Sequence, residues 1–427
     1  MSADAKRRLP DTTWLDTGAL AQVLSVLDHA GEEARVVGGA VRDALFGQVP
    51  VEVDIATTTT PDTVIERARA AGFKAVPTGI DHGTVTVIVD GTPFEVTTLR
   101  ADVETFGRKA KVAFGRDWKV DAARRDFTMN GLSVNRAGEI FDYVGGLADI
   151  DARRVRFIGD ANKRIAEDYL RILRFFRFHA TYGQGVPDAA GLAACIAGRE
   201  GLAQLSRERV RMETLKLLRA AHATPTLAVM TEAGLLEQIL ASVPLLASFE
   251  NTCKVERSAG VAGDPVRRLG ALAVTVAEDA ERLWQRLRLT NSEHARLTSI
   301  AEGWSQVSPA HGEAAARELI YRHGPDRYVD RVLVAWARSS AGEADTDWTN
   351  LATLPKRWSA PKFPLHAKDF IKRGVEKGPR LGAVIAAAEE AWIAAGFPVD
   401  KTALAALADA ALAARPAAGA AEAGDQP

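Results

Sequence analysis

The stretch VVGGAVRDALFGQVPVEVDIATTTTP, Val36–Pro61, decides how the rest of the chain is read. A β-branched run opens it, Gly38-Gly39 turns the chain, and a brief helix is expected from Ala40. The return through Val51, Val53 and Ile55 alternates with polar residues, which predicts a half-buried strand. That strand would carry Glu52 and Asp54 on its polar face, roughly 6.5–7 Å apart. Two acceptor-only carboxylates so placed repel each other, and a cation between them relieves the repulsion. Mg²⁺ suits such a position, because it takes oxygen ligands and shares them with substrate phosphates. Gly38 and Gly39, just ahead of a helix start, offer backbone N–H groups to an anion. A GG pair alone is a tight turn, and an ExD pair alone is a solvated sheet face. Together they point to metal-assisted phosphoryl or nucleotidyl transfer.

Working outward, Trp14–Ala30 has helical spacing through Leu20, Val23, Leu24 and Leu27, and Pro61–Gly72 reads as a helix led by proline. Phe73–Val76 is a short strand, and Thr84–Val89 with Phe94–Leu99 forms a hairpin about Gly91. In its second strand Glu95 and Thr97 share a face. Glu95 is therefore a candidate third carboxylate beside Glu52 and Asp54, the alternative being a cross-strand partner to a Lys or Arg. Arg100–Lys119 is charged, glycine-punctuated and without steady period, which reads as a long loop, either functional or disordered.

Two further stretches carry chemistry. In Arg124–Asn130, RRDFTMN, arginine can pin phosphate or ribose oxygens and the adjacent aspartate can accept from a ribose hydroxyl. In Glu167–His179, EDYLRILRFFRFH, residues such as Tyr169, Ile172 and Phe176 supply an apolar helix face, while Asp168, Arg171, Arg174 and Arg177 recur every third residue. An Asp acceptor beside an Arg donor complements an amino group next to a ring nitrogen. Cytosine and adenine both present that edge, whereas uracil and guanine place a carbonyl where the amino group must be. The bland alternative is an ion-paired solvated face, to which Glu167 and Arg171 would contribute.

The bulk numbers are permissive. A chain of 427 residues suggests two to four domains, and 47 % hydrophobic with 26 % charged residues is ordinary for a globular protein. Formal net charge is −1, yet arginines crowd Arg100–Arg219 while the C-terminal AAGAAEAGDQP holds only acidic charge. Cys195 and Cys253 are too few for a disulfide framework or a zinc site. No apolar run approaches a membrane span and Met1–Pro10 lacks the apolar core of a signal peptide, so a cytoplasmic protein without a membrane partner is expected.

GGxVRDxLxG followed by ExDxxT, then RRDFTxN, then EDxLRxLRxxRF resembles the class II CCA-adding tRNA nucleotidyltransferases and their relatives, the bacterial poly(A) polymerases, within the polymerase-β-like nucleotidyltransferases. The specific motifs cover Arg35–Leu218. The resemblance implies an α+β fold: an N-terminal polymerase-β-like head with a mixed sheet and helices, then all-α neck, body and tail. On this sequence the expected segments are a helical lead at 1–32, the head at 33–160 and a neck at 161–222. A body at 223–345, a tail at 346–414 and a disordered Ala-rich end at 415–427 follow. Within the tail, Trp348–Phe363 reads as a linker rich in proline and aromatics.

The implied reaction extends a tRNA 3′ end from CTP and ATP with Mg²⁺, releasing pyrophosphate. The resemblance gives Glu52 and Asp54 the metal, with Glu95 as the added catalytic carboxylate, and the Gly38-Gly39 turn with Arg42 the triphosphate. It gives Arg125, Asp126 and Asn130 the ribose, and Asp168 and Arg171 the base. Arg174 and Arg177 would orient that pair and meet phosphate, and Arg209 and Arg211 in the LSxERVRxExxK helix would meet RNA phosphate of the tRNA 3′ end and acceptor arm. The sequence departs from the commoner pattern at Glu52, where relatives more often have Asp, and at Phe106 in the loop, where many have an acidic residue. Poly(A) addition, partial CC or A addition, and a non-catalytic RNA-binding relative stay open beside CCA addition.

Overall fold

A computed structural model describes residues 7–106 and 109–414. The expected disordered end at 415–427 and the side chain of Phe106 lie outside the described residues. The chain divides into two compact units. The first comprises Met1–Leu246, Asp264–Ala273 and Glu278–His294, and the second Ala247–Gly263, Val274–Ala277 and Ala295–Pro427.

The first unit is built on a mixed sheet of seven strands. These are β1 (Ala34–Val37), β2 (Asp54–Thr57), β3 (Lys74–Gly79), β4 (Thr84–Val89) and β5 (Thr92–Thr98), followed beyond a separate ribbon by β8 (Leu132–Val134) and β9 (Ile140–Asp142), in the order β3-β4-β5-β2-β1-β8-β9. All four residues of β1 are buried, as a central strand requires. The pair β2–β5 is parallel and the other neighbours are antiparallel. The hairpin β4–β5 turns on Asp90 (φ 51°) and Gly91 (φ 80°), the left-handed pair that a tight hairpin needs.

Two expectations about the stretch from Val51 to Lys119 need correction. The strand predicted to run through Val51, Val53 and Ile55 begins at Asp54, and Val51 is 96 % exposed. The cause is the neighbour. β1 ends at Val37, opposite Asp54, because the chain then turns at Gly38, so residues before Asp54 have no backbone to pair with on that side. Glu52 consequently stands in a bend ahead of the strand, not on it. Second, Arg100–Lys119 is not an irregular loop. It forms a two-stranded ribbon, β6 (Arg100–Phe106) with β7 (Lys109–Phe114), and then enters a helix at Trp118–Ala123. Its register shifts between Asp102 and Glu104, and an inserted residue of that kind exchanges the two strand faces and erases a period of two. The root of the following helix is held by Arg35, whose guanidinium lies between Trp118 (4.0 Å) and Phe141 (3.5 Å).

Helices Ala161–Glu167 and Leu170–Tyr182 replace the single helix expected over Glu167–His179. Asp168 is extended (φ −157°, ψ 107°) at the break, where its side chain accepts from the Leu170 N–H (3.1 Å). Ile172, Leu173, Phe175 and Phe176 are buried below the second helix, with Phe175 against Phe157 (5.4 Å) and Phe178 against Phe127 (5.1 Å). That aromatic packing ties this helix to the RRDFTMN segment.

The second unit is helical throughout its described regular structure. Tyr328, Trp336 and Trp348 form its centre, and Asp330, wholly buried, receives Arg296 through Nε (2.7 Å) and Nη2 (2.8 Å). The linker expected at Trp348–Phe363 is instead helical as far as Arg357, within Thr346–Arg357. Asp345 caps this helix, and Trp348 stacks on Trp336 at 6.3 Å. Pro355 inside it has no N–H for the Leu351 carbonyl, and that carbonyl accepts from the Tyr328 hydroxyl at 3.0 Å instead.

Candidate active site

The polar end of β2 is where the sequence motifs meet. Asp54 is registered against Val37 of β1 on one side and against Glu95 of β5 on the other. Registered neighbours lie about 4.8 Å apart, so Asp54 has a second carboxylate beside it and the Gly38 turn one residue beyond Val37. Its carboxyl is held above the ordinary aspartate range, first by desolvation and then by the negative charge of Glu95. Arg125 opposes that shift, and Glu52 adds to it from the bend. Three carboxylates and one guanidinium thus face one another through their charges.

Gly38 has φ 69°, and a Cβ there would stand 3.1 Å from Arg125 Nη1. The glycine is required both by the left-handed backbone and by the close approach of arginine. Arg125 in turn donates to Asp121 at 3.1 Å, while Asp121 also holds Arg124 at 2.8 Å. Gly39 starts the helix Gly39–Leu45, so its first N–H groups open beside the same turn.

Several predicted residues are placed differently from expectation. Arg42 does not offer a free guanidinium to a triphosphate. It is 7 % exposed, donates to Asn130 Oδ1 (2.6 Å) and Asp43 (2.9 Å), and lies over the Tyr182 ring (4.2 Å). Its position on the inward face of a short helix makes it a bolt between that helix and Leu170–Tyr182. Asp126, expected on a ribose hydroxyl, is fully engaged within the protein. It accepts from Phe127 N (2.8 Å), Asn130 Nδ2 (2.9 Å), Arg174 Nε (2.9 Å) and Arg174 Nη2 (2.5 Å). A carboxylate has about four acceptor positions, so none remains for a ribose. Burial alone would raise this carboxyl, but the charge of Arg174 and the bonds from Asn130 and Arg174 leave it below the usual range. Asn130 is correspondingly spent between Asp126 and Arg42.

The arginines after residue 170 are also paired. Arg171 donates through Nη1 to the Arg164 carbonyl (2.7 Å) and to Glu167, the i,i+4 pair that the sequence allowed. Arg177 meets Glu213 at 2.5 Å, with Arg174 at 3.8 Å from the same carboxylate. Arg209 and Arg211, expected on RNA phosphate, hold Asp168 (2.6 Å) and Glu293 (3.1 Å). Two residues apart, they leave Arg207–Arg219 on nearly opposite sides, and each side meets its own carboxylate. Sequence reasoning passed over Asp121, Arg164 and Glu213. Asp121 has a readable signal, its i,i+4 spacing to Arg125. Arg164 has one too, its i,i+3 spacing to Glu167, although its bonds to the Arg124 and Arg125 carbonyls are not local. Glu213 stands in the LSxERVRxExxK pattern, but its arginine partners lie on another helix and no local spacing announces them.

A strand-flanked carboxylate pair beside a glycine turn, on a mixed sheet followed by helices, defines a nucleotidyltransferase head. Residues 34–156 match the family model described as the poly(A) polymerase head domain, and residues 191–249 match the probable RNA and SrmB-binding site of polymerase A. The chain is 33 % identical over 405 residues to the mitochondrial CCA tRNA nucleotidyltransferase 1 of Mus musculus, covering 93 % of this chain and 91 % of that protein. It is 30 % identical over 392 residues to the CCA-adding enzyme of Levilactobacillus brevis, covering 90 % and 95 %. The crystal structure of the Bacillus stearothermophilus CCA-adding enzyme in complex with CTP superposes with a TM-score of 0.70 at 26 % identity, over 92 % of this chain and 96 % of that one. The chain belongs to the CCA-adding tRNA nucleotidyltransferases. Among the described residues no helix is long and apolar enough to cross a membrane.

Proposed function

We propose that the protein completes tRNA 3′ ends, adding C, C and A from CTP and ATP without a nucleic-acid template and releasing pyrophosphate. The observation that carries this reading is the Asp54–Glu95 pair beside the Gly38 turn, in a chain whose CCA-adding relatives match it over nearly its whole length. In each cycle the terminal 3′-oxygen of the RNA bonds to the α-phosphorus of the incoming nucleotide, the bond to pyrophosphate breaks, and the hydroxyl proton is lost.

Mg²⁺ is part of the proposal. Among the described residues no group of three or more His, Cys, Asp or Glu side chains forms a ready-made metal site. Mg²⁺ does not ask for one, since one or two carboxylates plus substrate phosphates are its usual protein site. The crowded charge on Asp54 is the fitting donor chemistry, because a carboxyl pushed upward by its neighbours gains from a cation. Asp54 and Glu52 would hold the ion, with Glu95 as the third carboxylate. When bound, Mg²⁺ supplies Lewis-acid stabilisation of charge on the phosphates. The N–H groups at Gly38-Gly39 and the guanidinium of Arg125 serve the triphosphate and ribose. Asp168 and Arg171 read the amino group and ring nitrogen of C or A. Arg42, Asp126, Asn130, Arg174 and Arg177 act behind them, as a frame. The segments from lead to tail keep the boundaries expected above, with the tail on tRNA. Cytoplasmic location belongs to the same proposal, and a chain with two buried cysteines, Cys195 and Cys253, asks for no oxidising compartment.

The test uses the full chain, Mg²⁺, CTP, ATP and a tRNA transcript ending at the discriminator base. Extension by three nucleotides is expected, and Asp54→Asn should abolish it while tRNA retention on a filter persists. Extension that survives Asp54→Asn would remove the proposed catalytic centre.

A further inference from the structure

Two buried arginines of the first unit lie on carboxylates, Arg35 on Glu33 at 2.6 Å and Arg42 on Asp43 at 2.8 Å. Arg331, in the helix Pro325–Arg338 of the second unit, is as deeply buried at 5 % exposure, yet it forms no ion pair with a carboxylate among the described residues. Its Nε donates to the Ser299 carbonyl at 2.8 Å and to the Ser299 hydroxyl at 2.9 Å. That leaves the outer edge of the guanidinium. Neither Nη1 nor Nη2 has a hydrogen-bond partner among the described residues, and neither is sealed from solvent.

A glycine makes room for this arrangement. Gly303 closes the helix Asn291–Gly303, and a Cβ there would stand 2.5 Å from Arg331 Cζ and 2.6 Å from its Cδ. The φ of Gly303 is −127°, which any residue adopts, so the guanidinium lying across the helix end is what calls for glycine. The Nε bonds and this trough together hold the fork in one plane with its Nη edge presented.

The surrounding charge is modest. Arg327 precedes Arg331 by one helical turn on the same face, and His323 ends the preceding helix Gly312–His323. Burial, then the charges of Arg331 and Arg327, push His323 below the ordinary histidine range, so it is neutral at neutral pH. Burial also pushes the Arg331 guanidinium down, with the exposed Glu302 opposing. Two arginines against one glutamate leave a small positive excess. A buried charge without a counter-charge is costly, and an anion seated on the free edge removes that cost. The Nη1–Nη2 edge matches two oxygens of a tetrahedral oxyanion. A recessed fork with so small an excess suits one discrete ion, whereas an RNA backbone asks for a track of basic residues along successive phosphates.

We infer that Arg331, seated on Gly303 and Ser299, forms a binding site for a free oxyanion of the phosphate class, a site to which the proposed reaction gives no role.

The experiment measures thermal midpoints of the full chain in phosphate and in chloride, matched for pH and ionic strength, for wild type, Arg331→Met, Arg331→Lys and Gly303→Ala. General stabilisation by phosphate, and any binding at the Gly38 turn, are common to all four proteins. Wild type should gain a further increment that grows with the logarithm of phosphate concentration. Arg331→Met and Gly303→Ala should show the common part alone, and Arg331→Lys, which keeps the charge without the fork, should bind phosphate roughly tenfold or more weakly. The KM for tRNA in primer extension should stay within about twofold in Arg331→Met. An equal phosphate increment in all four proteins would overturn the inference. A KM for tRNA raised several-fold in Arg331→Met would overturn it too, because the fork would then belong to RNA phosphate. The phosphate arm needs no activity, so its outcome is independent of the reading of the catalytic centre.

Discussion

Replacing Asp126 with asparagine removes a charge from a side chain whose acceptor positions are filled inside the protein. The carboxylate is 11 % exposed and its partner Arg174 31 % exposed. Asparagine keeps the shape, but it turns an NH₂ group toward one of two clusters of donors and leaves Arg174 without its counter-charge. Breaking a buried ion pair costs about 3–5 kcal/mol, and the partial exposure of Arg174 argues for the lower end, about 3 kcal/mol. For a unit of this size that lowers the thermal midpoint by roughly 6–12 °C. The pH dependence follows from the lowered folded-state pKa. The stabilisation by Asp126 is fully present above the ordinary aspartate value, about 4, and is lost as pH falls through the depressed value in the fold. The gap between wild type and Asp126→Asn should therefore be full at neutral pH and narrow in acid. Thermal unfolding by circular dichroism from neutral pH down to about 3 measures it, alongside KM for CTP. A variant as stable as wild type with a sharply raised KM would refute the reasoning and return Asp126 to the ribose.

Four other outcomes follow. Asp54 has a raised pKa, so its ionised form strains the fold: Asp54→Asn should unfold at a higher temperature than wild type at neutral pH, an advantage that fades as pH falls toward the ordinary aspartate value. Mg²⁺ should raise the midpoint of wild type more than that of Asp54→Asn, and equal shifts would show that the ion binds elsewhere. Gly38→Ala places a Cβ at φ 69° and 3.1 Å from Arg125 Nη1, so about 1–2 kcal/mol of backbone strain should accompany a raised KM for CTP, and unchanged kinetics would disconnect Arg125 from the nucleotide. Asp330→Ala, which strips Arg296 of its buried partner in the second unit, should cost about 3–5 kcal/mol in urea unfolding while KM for CTP stays within about twofold.

How much of this was legible in the sequence depended on the range of each interaction. The Gly38 turn, the hairpin β4–β5 and the placement of Glu95 on the polar face of β5 are local, and alternation or glycine chemistry announces them. The start of β2 was not, because what ends the strand before Asp54 is the termination of β1 at Val37. The ribbon β6–β7 was hidden by its register shift. Pro355 read as a helix breaker because the hydroxyl that replaces its missing N–H comes from Tyr328, 23 residues away from Leu351. The arginine partners were least legible of all. Arg209 and Asp168 are 41 residues apart and Arg42 and Asn130 are 88, and no local pattern separates an arginine bound for phosphate from one bound for a buried carboxylate.

The most direct test of the central claim is to sequence the products made on a tRNA ending at its discriminator base, with Mg²⁺ and all four nucleoside triphosphates present. A homogeneous CCA end is expected, and it would show that the departure at Glu52 is compatible with addition and that the site accepts C and A while refusing U and G. A run of A residues, a stop after CC, or no extension of a tRNA that still binds would contradict it.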